Sequence, residues 1–326
     1  MRETIPGQGA TSPLGARGSV VAAILTGLGV SVALGILALG AYLLLQARSN
    51  AWNRAERASS NLALALERDI ARNLHLIDLS LQGVIEAMKE PGIAEASREV
   101  RHRALFAGTA EAEDLGSVLV LDGYGTVVDD STSVDPHRLN MADRDYFRAH
   151  MEDPDVGLYV SRPFRSRLRG SDLSIALSRR LPDRDGQFQG VVIGALRLAY
   201  LQHLFAQLDT GTKGSITLIR TDGRLLAREP LEMTDLERDV RGSEVFKRFQ
   251  LADAGSFVAP SETDGTQRLF TYRHVRGLPL ILAVNVAADE ILEPWRRRSI
   301  MIGSLLAVLC AATITMLVLF RREMVR

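Results

Sequence analysis

The chain of 326 residues carries 39 basic and 39 acidic side chains, and 46% of it is hydrophobic. Zero formal charge excludes the basic excess of a nucleic-acid binder and the acidity of a solvating tail. One cysteine, Cys310, excludes a disulfide framework and a cysteine-rich metal site.

Val20 to Leu45 contains no charged residue. At about 1.5 Å per residue the run exceeds the ~30 Å hydrocarbon core, and it is far longer than the apolar stretch of a signal peptide. It reads as an uncleaved membrane anchor. Within it Gly27, Ser31 and Gly35 fall four apart, a spacing that lets two helices approach closely. Ile300 to Phe320 is a second uncharged run, with Cys310 inside it. Arg2, Arg17, Arg321, Arg322 and Arg326 lie outside the two runs. Arg48, Arg54, Arg57, Arg296, Arg297 and Arg298 lie between them, a near-tie that leaves the orientation open.

From Ala51 to Pro91 apolar residues recur at three- and four-residue steps: Ala51, Ala55, Ala58, Leu62, Leu66, Ile70, Leu74, Ile77, Leu81, Val84 and Met88. This predicts one long amphipathic helix whose seam suits a core or a partner helix. A second short helix is expected around Glu99 to Ala107. The period then changes to that of strands. Ser117 to Asp122, the turn Gly123-Tyr124-Gly125 and Thr126 to Val128 form a hairpin, and Ser215 to Arg220, Thr221-Asp222-Gly223 and Arg224 to Leu226 repeat it. Aligning Ser117 with Ser215 superposes Gly125 on Gly223. Each hairpin is followed by two more strands, Leu173 to Leu181 with Gly190 to Leu198, then Arg268 to His274 with Leu280 to Val286. A helix follows each pair, from Ala199 to Leu208 and from Ala288 onward. The fold class is therefore α+β: a long N-terminal helix and two tandem antiparallel-sheet modules, flanked by two membrane-spanning helices. The first module carries a helical insert near residues 143–152 with a long loop behind it, and is expected to be the roomier.

Asp143 to Phe147 is the most informative stretch. Asp143 is a good helix N-cap, which puts Arg144 and Asp145 in the first turn, where free N–H groups and a guanidinium fork suit an anion. Arg148 follows at i+4 on the same face, and the next loop holds Arg162, Arg165, Arg167 and Arg169. A second reading stays open: Arg144 paired with Asp145, Asp153 or Asp172, the loop arginines in water, and Tyr146 and Phe147 in the core. No nucleotide loop, nucleophile elbow or zinc helix occurs, and the six histidines show no metal-ligand spacing. No catalytic residue, cofactor or metal is expected.

Asp143 to Phe147, Tyr159 to Pro163, Gly190 to Gly194 and Leu198 to Leu201, in this order between two spans, resemble the double Cache family of PAS-like extracytoplasmic sensor regions. Such regions occur in bacterial chemoreceptors, histidine kinases and cyclic-di-GMP enzymes. The resemblance covers about Ala47 to Arg298. It implies that this region is periplasmic, which fixes the orientation that charge left open. It also implies a ligand site in the first module. In amino-acid-sensing members an Arg-x-Trp-Tyr motif holds the ligand, and here those positions read Arg144-Asp145-Tyr146-Phe147. The aspartate that receives the ligand's amino group in that class is replaced here by Ala195.

Residues 1–19 are then read as a cytoplasmic tail, 20–45 and 300–320 as spans, and 321–326 as a cytoplasmic end. The sensor region 47–298 divides into a long helix (47–90), a membrane-distal module (91–208) and a membrane-proximal module (209–288). The expected function is a two-pass inner-membrane sensor, working as a homodimer with no nucleic-acid partner. It binds a small anionic or carboxylate ligand through Arg144, Tyr146, Phe147, Arg148, Tyr159, Arg162 and Arg165. No output domain is expected in this chain, so the signal would pass to a cytoplasmic partner. The alternatives are the sensory part of a truncated diguanylate cyclase or histidine kinase, and a periplasmic protein-interaction module without a small ligand.

Overall fold

The computed structural model describes residues 13–108, 115–168, 170, 172–183, 186–230, 239–262 and 264–325. The start of the expected cytoplasmic tail and Arg169 lie outside them. The chain divides into two compact units. One is built from α1 (Pro13–Ala87) as far as Ala55 and α6 (Ala288–Val325) from Asp289, and the other is Glu56–Ala288.

In the first unit both helices are long and apolar enough to cross a membrane. Small residues set their approach: a Cβ on Gly40 would lie 2.9 Å from Leu306 Cδ1, and one on Gly29 3.7 Å from Leu317 Cδ2. The expected stripe is not the one used, since a Cβ on Gly27 or Gly35 would meet nothing within 4 Å. Trp295 Nε1 donates to the Leu44 carbonyl at 2.7 Å, and Arg48 lies 5.8 Å over the indole. An aromatic and a cation side by side are the usual furniture of a membrane–water boundary.

The second unit is a repeat. After α2 (Arg98–Phe106) come β1 (Leu115–Asp122), β2 (Val127–Asp130), α3 (Asp145–Glu152), β3 (Tyr159–Val160), β4 (Phe164–Arg165), β5 (Leu173–Arg180), β6 (Gly190–Arg197) and α4 (Leu198–Ala206). The second module holds β7 (Ser215–Arg220), β8 (Leu225–Glu229), α5 (Glu244–Phe249), β9 (Ala254–Pro260), β10 (Gln267–His274) and β11 (Leu280–Ala287). The sheets share one antiparallel order, β2-β1-β6-β5-β3 and β8-β7-β11-β10-β9, with β4 also pairing β5 in the first. The repeat extends to single hydrogen bonds. Gly125 (φ +81°) and Gly223 (φ +82°) adopt the same left-handed turn, which suits glycine because it lacks a Cβ. Met141 N then donates to Gly125 O, and Val240 N to Gly223 O.

The helical insert is therefore not peculiar to the first module. It recurs as α5, six residues long and too short to show a helical period. Strand β9 also escaped the sequence pattern, being an edge strand whose residues alternate only between exposed and half-buried.

The seam of α1 is spent inside the unit. Ala63, Leu66, Ile70, Leu74, Ile77, Leu81 and Val84 are buried in one cluster that takes Val118, Val120, Val192 and Leu196 from the first sheet and Ile216, Leu218, Leu282 and Val284 from the second. The opposite faces of the sheets carry two smaller clusters, beneath α3 and beneath α5. With both faces covered, β7 is buried along its whole length. The modules also meet through Arg220 of β7, whose side chain is 10% exposed. Its Nη1 donates to Val160 O at 2.8 Å and to the Tyr159 hydroxyl at 3.1 Å, while Asp222 accepts from Nε at 2.9 Å.

Two outcomes are expected. Gly194 of β6 lets α1 rest on the sheet, because a Cβ there would lie 2.7 Å from Ile77 Cγ2, a stiff β-branched methyl. Gly194→Val should cost about 1–3 kcal/mol in denaturant unfolding, and pairing it with Ile77→Ala should recover part of that loss. Additive losses in the double variant would contradict this account of the glycine.

His150 of α3 is fully buried, with Nε2 at 3.0 Å from Ser178 Oγ. Burial, aided by Arg180 and Arg179, pushes its pKa down to about 4. The unfolded chain therefore binds a proton that the folded chain refuses. Stability should be full above pH ~6.5 and fall as pH drops toward 4, by about 3 kcal/mol at most. His150→Gln should flatten that slope in urea titrations at successive pH values. An unchanged slope would place the proton elsewhere.

Candidate functional site

The N-cap expected at Asp143 falls one residue later, and α3 starts at Asp145. Asp143 cannot cap it, because its carboxylate takes both ends of the Arg167 guanidinium, at 2.8 and 2.7 Å. That pair holds the Asp143 pKa below the usual carboxylate range. Arg144 stands at the N-cap instead, in extended backbone (φ −78°, ψ 144°), and makes no side-chain cap bond. Asp145 turns inward: Oδ1 accepts from Tyr146 N at 2.9 Å, and Oδ2 accepts from Arg162 N at 2.8 Å and from the Tyr159 hydroxyl at 3.3 Å.

The repeat shows what Arg144 replaces. Arg144 N donates to Met141 O as Ser243 N donates to Val240 O, so Arg144 and Ser243 are equivalent. Ser243 caps α5 in the ordinary way, its hydroxyl accepting from Phe246 N at 3.2 Å. Such a cap is typically worth about 1 kcal/mol, and the first module forgoes it. Among the described residues the contacts of the Arg144 guanidinium are neutral. Nη2 donates to Arg165 O at 3.0 Å, the group lies 5.1 Å over the Phe164 ring, and the buried Nε has no partner. Asp145, Asp153 and Asp172, the acids proposed as its ion-pair partners, do not hold it.

Arg144 lies in the wall of a small cavity of ≈ 30 Å³ over the β1–β6 face of the sheet. Ser117, Leu119, Ile193 and Ala195 contribute from those strands, Tyr146 and Phe164 supply aromatic walls, and Arg167, Asp172, Ser174 and Arg197 complete the polar part. Burial pushes the Tyr146 hydroxyl pKa up, so it stays protonated. Three guanidinium groups against one carboxylate in the lining, with Arg167 already offset by Asp143, leave the cavity net positive.

Of the residues expected at the site, Arg144 and Tyr146 are brought together here. Phe147, the next residue of α3, is buried in the same cluster but packs on Phe188, with ring centroids 5.4 Å apart, and does not line the cavity. Arg148 is exposed on the next turn and outside the wall. Tyr159 is turned to Asp145 and Arg220, Arg162 contributes its backbone N–H to Asp145, and Arg165 contributes its carbonyl to Arg144. Ser117, Ser174 and Arg197 were not anticipated, and Asp172, just before β5, was expected only as an ion-pair partner. The first three come from three different strands, and only the pairing of β5 with β6 sets Ser174 opposite Arg197.

Among the described residues a larger cavity, ≈ 100 Å³, lies in the second module between β7, β8, β10, β11 and α5. The position aligned with the missing ammonium partner, Ala195, does line the first cavity, with a methyl group in place of an acid.

A search of curated proteins found no significant match. Solved structures do match. The extracellular domain of a protein assigned as a histidine kinase superposes with a TM-score of 0.59 at 28% identity, covering 74% of this chain and 98% of its own. The periplasmic sensory domain of the Campylobacter jejuni chemoreceptor Tlp1 gives a TM-score of 0.60 at 10% identity, over 75% and 99%. The ligand-binding domain of the Pseudomonas fluorescens chemoreceptor CtaA, solved with L-isoleucine, gives 0.51 at 16%, over 76% and 96%. At such identities the two chemoreceptors show the fold alone. A family profile described as Cache domain matches residues 47–295. Two sheets of one strand order packed on one long helix, and a profile match over most of the chain, place this protein in the Cache domain family of sensor regions, in its double-module form.

Proposed function

We propose that the chain is an inner-membrane sensor, without enzymatic activity, that binds a small anion through Arg144 in the first module. It passes the resulting change to a cytoplasmic partner. The observation that carries this reading is the N-cap position of α3. Where the second module keeps a stabilising serine, the first keeps an arginine with neutral contacts at the wall of a net-positive cavity. Departures from local structural rules of this kind concentrate at functional sites. A carboxylate is the anion whose two oxygens match the planar fork of the guanidinium. The related domain of CtaA was solved with an amino acid. Here Ala195 cannot receive an ammonium group, which favours a simple carboxylate over a zwitterion. Asp172 in the same wall is the feature that favours the zwitterion.

Arg220 gives such a change a route within the sensor unit. It joins the second module to Tyr159, and Tyr159 joins Asp145 at the foot of the same helix α3. As a homodimer, the chain would use the unoccupied Gly27–Ser31–Gly35 face of α1 for the second copy.

The test is a thermal-shift and calorimetric screen of carboxylates, phosphate and amino acids against the full chain in nanodiscs. Arg144→Ala should weaken the best anion about ten- to a hundredfold, and Arg144→Lys should rescue only in part, because an ammonium lacks the planar fork. Arg144→Ser, which installs the residue of the second module, should likewise lose the ligand while raising stability by up to about 1 kcal/mol. Unchanged affinity in Arg144→Ala, or unfolding of that variant without ligand, would make Arg144 structural and sink the reading.

A further inference from the structure

The cavity of the second module is the repeat's own copy of the first. Val118 pairs with Gly194 as Ile216 pairs with Val284, so Ala195 corresponds to Asn285. Ala195 faces Ala176 across β5, and Asn285 faces Phe270 across β10, so two residues earlier Ser174 corresponds to Arg268. By the same register Leu119 corresponds to Thr217 and Ile193 to Ala283. Each of these positions lines the cavity of its module. The second cavity is larger because Ala283 stands where the first module has isoleucine. It is differently polar because both its arginines, Arg228 and Arg268, come from strands, Glu262 adds a carboxylate, and the helix cap is returned to Ser243.

Its polar groups are buried and incompletely used. Arg268 has a side chain only 8% exposed; Nη2 donates to Asp264 at 2.8 Å, while its buried Nε has no partner. The Asn285 amide, in a residue 7% exposed, donates to Ser215 Oγ at 3.0 Å, and its Oδ1 has no partner. A buried donor and a buried acceptor left unpaired are costly and rare in folded proteins. Facing them are Phe246, Phe249 and Phe270, which leave the other end of the cavity apolar. A few convergent polar groups at one end of an apolar cavity is the usual form of a small-molecule site.

We infer that the second module carries a ligand site of its own, for a short-chain hydroxycarboxylate. The carboxylate would accept from Arg268 Nε and the Ser215 hydroxyl, the hydroxyl group would donate to Asn285 Oδ1, and the short carbon chain would lie toward Phe246 and Phe270. The volume sets the size. At ≈ 100 Å³ the cavity is smaller than the ~150 Å³ that holds benzene, which restricts the ligand to at most about six heavy atoms. This site is additional to the Arg144 site and does not depend on it.

The probe is 2-hydroxypropanoate, titrated by calorimetry into the full chain in nanodiscs, with propanoate as comparator. 2-Hydroxypropanoate should bind, and propanoate should bind at least about tenfold more weakly, because it leaves Asn285 Oδ1 unpaired. Asn285→Ala and Arg268→Met should each weaken 2-hydroxypropanoate about ten- to a hundredfold. Ala283→Ile, which restores the residue of the first module and fills the space, should abolish binding. Arg144→Ala should leave it unchanged. If Arg268→Met fails to fold because Asp264 loses its partner, Asn285→Ala keeps that ion pair and decides the matter. No heat with the parent chain, or binding insensitive to Asn285→Ala and Ala283→Ile, overturns the inference. Binding lost in Arg144→Ala alone also overturns it, and leaves the first-module site standing.

Discussion

One buried face of one helix organises the sensor unit. The stripe from Ala63 to Val84 packs against both sheets at once, in a single cluster that neither sheet completes alone. Burying each large side chain of that stripe is worth about 1.5–3 kcal/mol, so separating either module from α1 exposes several such groups together. The requirement is steric as well as hydrophobic. The helix comes close enough to β6 that Gly194 has no room for a Cβ beneath Ile77. The second face of each sheet is then left to smaller clusters under α3 and α5, and both cavities lie there.

The division of labour follows from that arrangement. The α1 side of each sheet is aliphatic and closely packed, and it carries the stability. The far side mixes aromatic rings with serines and arginines and leaves space, which is where a protein can vary chemistry at small cost to its core. Because the fold is repeated within one chain, the second module serves as an internal control for the first. A serine cap at Ser243 against Arg144, an amide at Asn285 against Ala195, and a methyl at Ala283 against Ile193 are differences between equivalent places. The fold alone accounts for none of them.

The modules are also joined electrostatically. Hydrogen bonding to Asp222 raises the already high pKa of Arg220, and burial of the pair is offset by the bonds that Val160 and Tyr159 accept. A buried guanidinium satisfied from both modules fixes their register, since sliding one past the other would strand the charge. Tyr159 thus serves the joint between the modules, and the wall of the first cavity is formed without it.

Much of this was legible in the sequence. Two uncharged runs, a helical seam ending near Pro91 and a hairpin recurring after about one hundred residues are local patterns, each imposed by burial on a period of 3.6 or 2. They determined the fold class, the repeat and the equivalence of Gly125 with Gly223. Arg144 and Tyr146 could be singled out because a helix start is a local event. Only the tertiary structure decided the remainder. It showed that Asp143 goes to Arg167 and leaves the cap to Arg144, that Phe147 packs on Phe188 and not on the cavity, and that the Gly27 stripe is bypassed for Gly29 and Gly40. It also showed that the larger cavity lies in the second module. Each of these depends on which distant strand or side chain competes for the same space or the same hydrogen bond. That competition is settled by strand pairing and packing across the whole unit, and no short stretch of residues contains it.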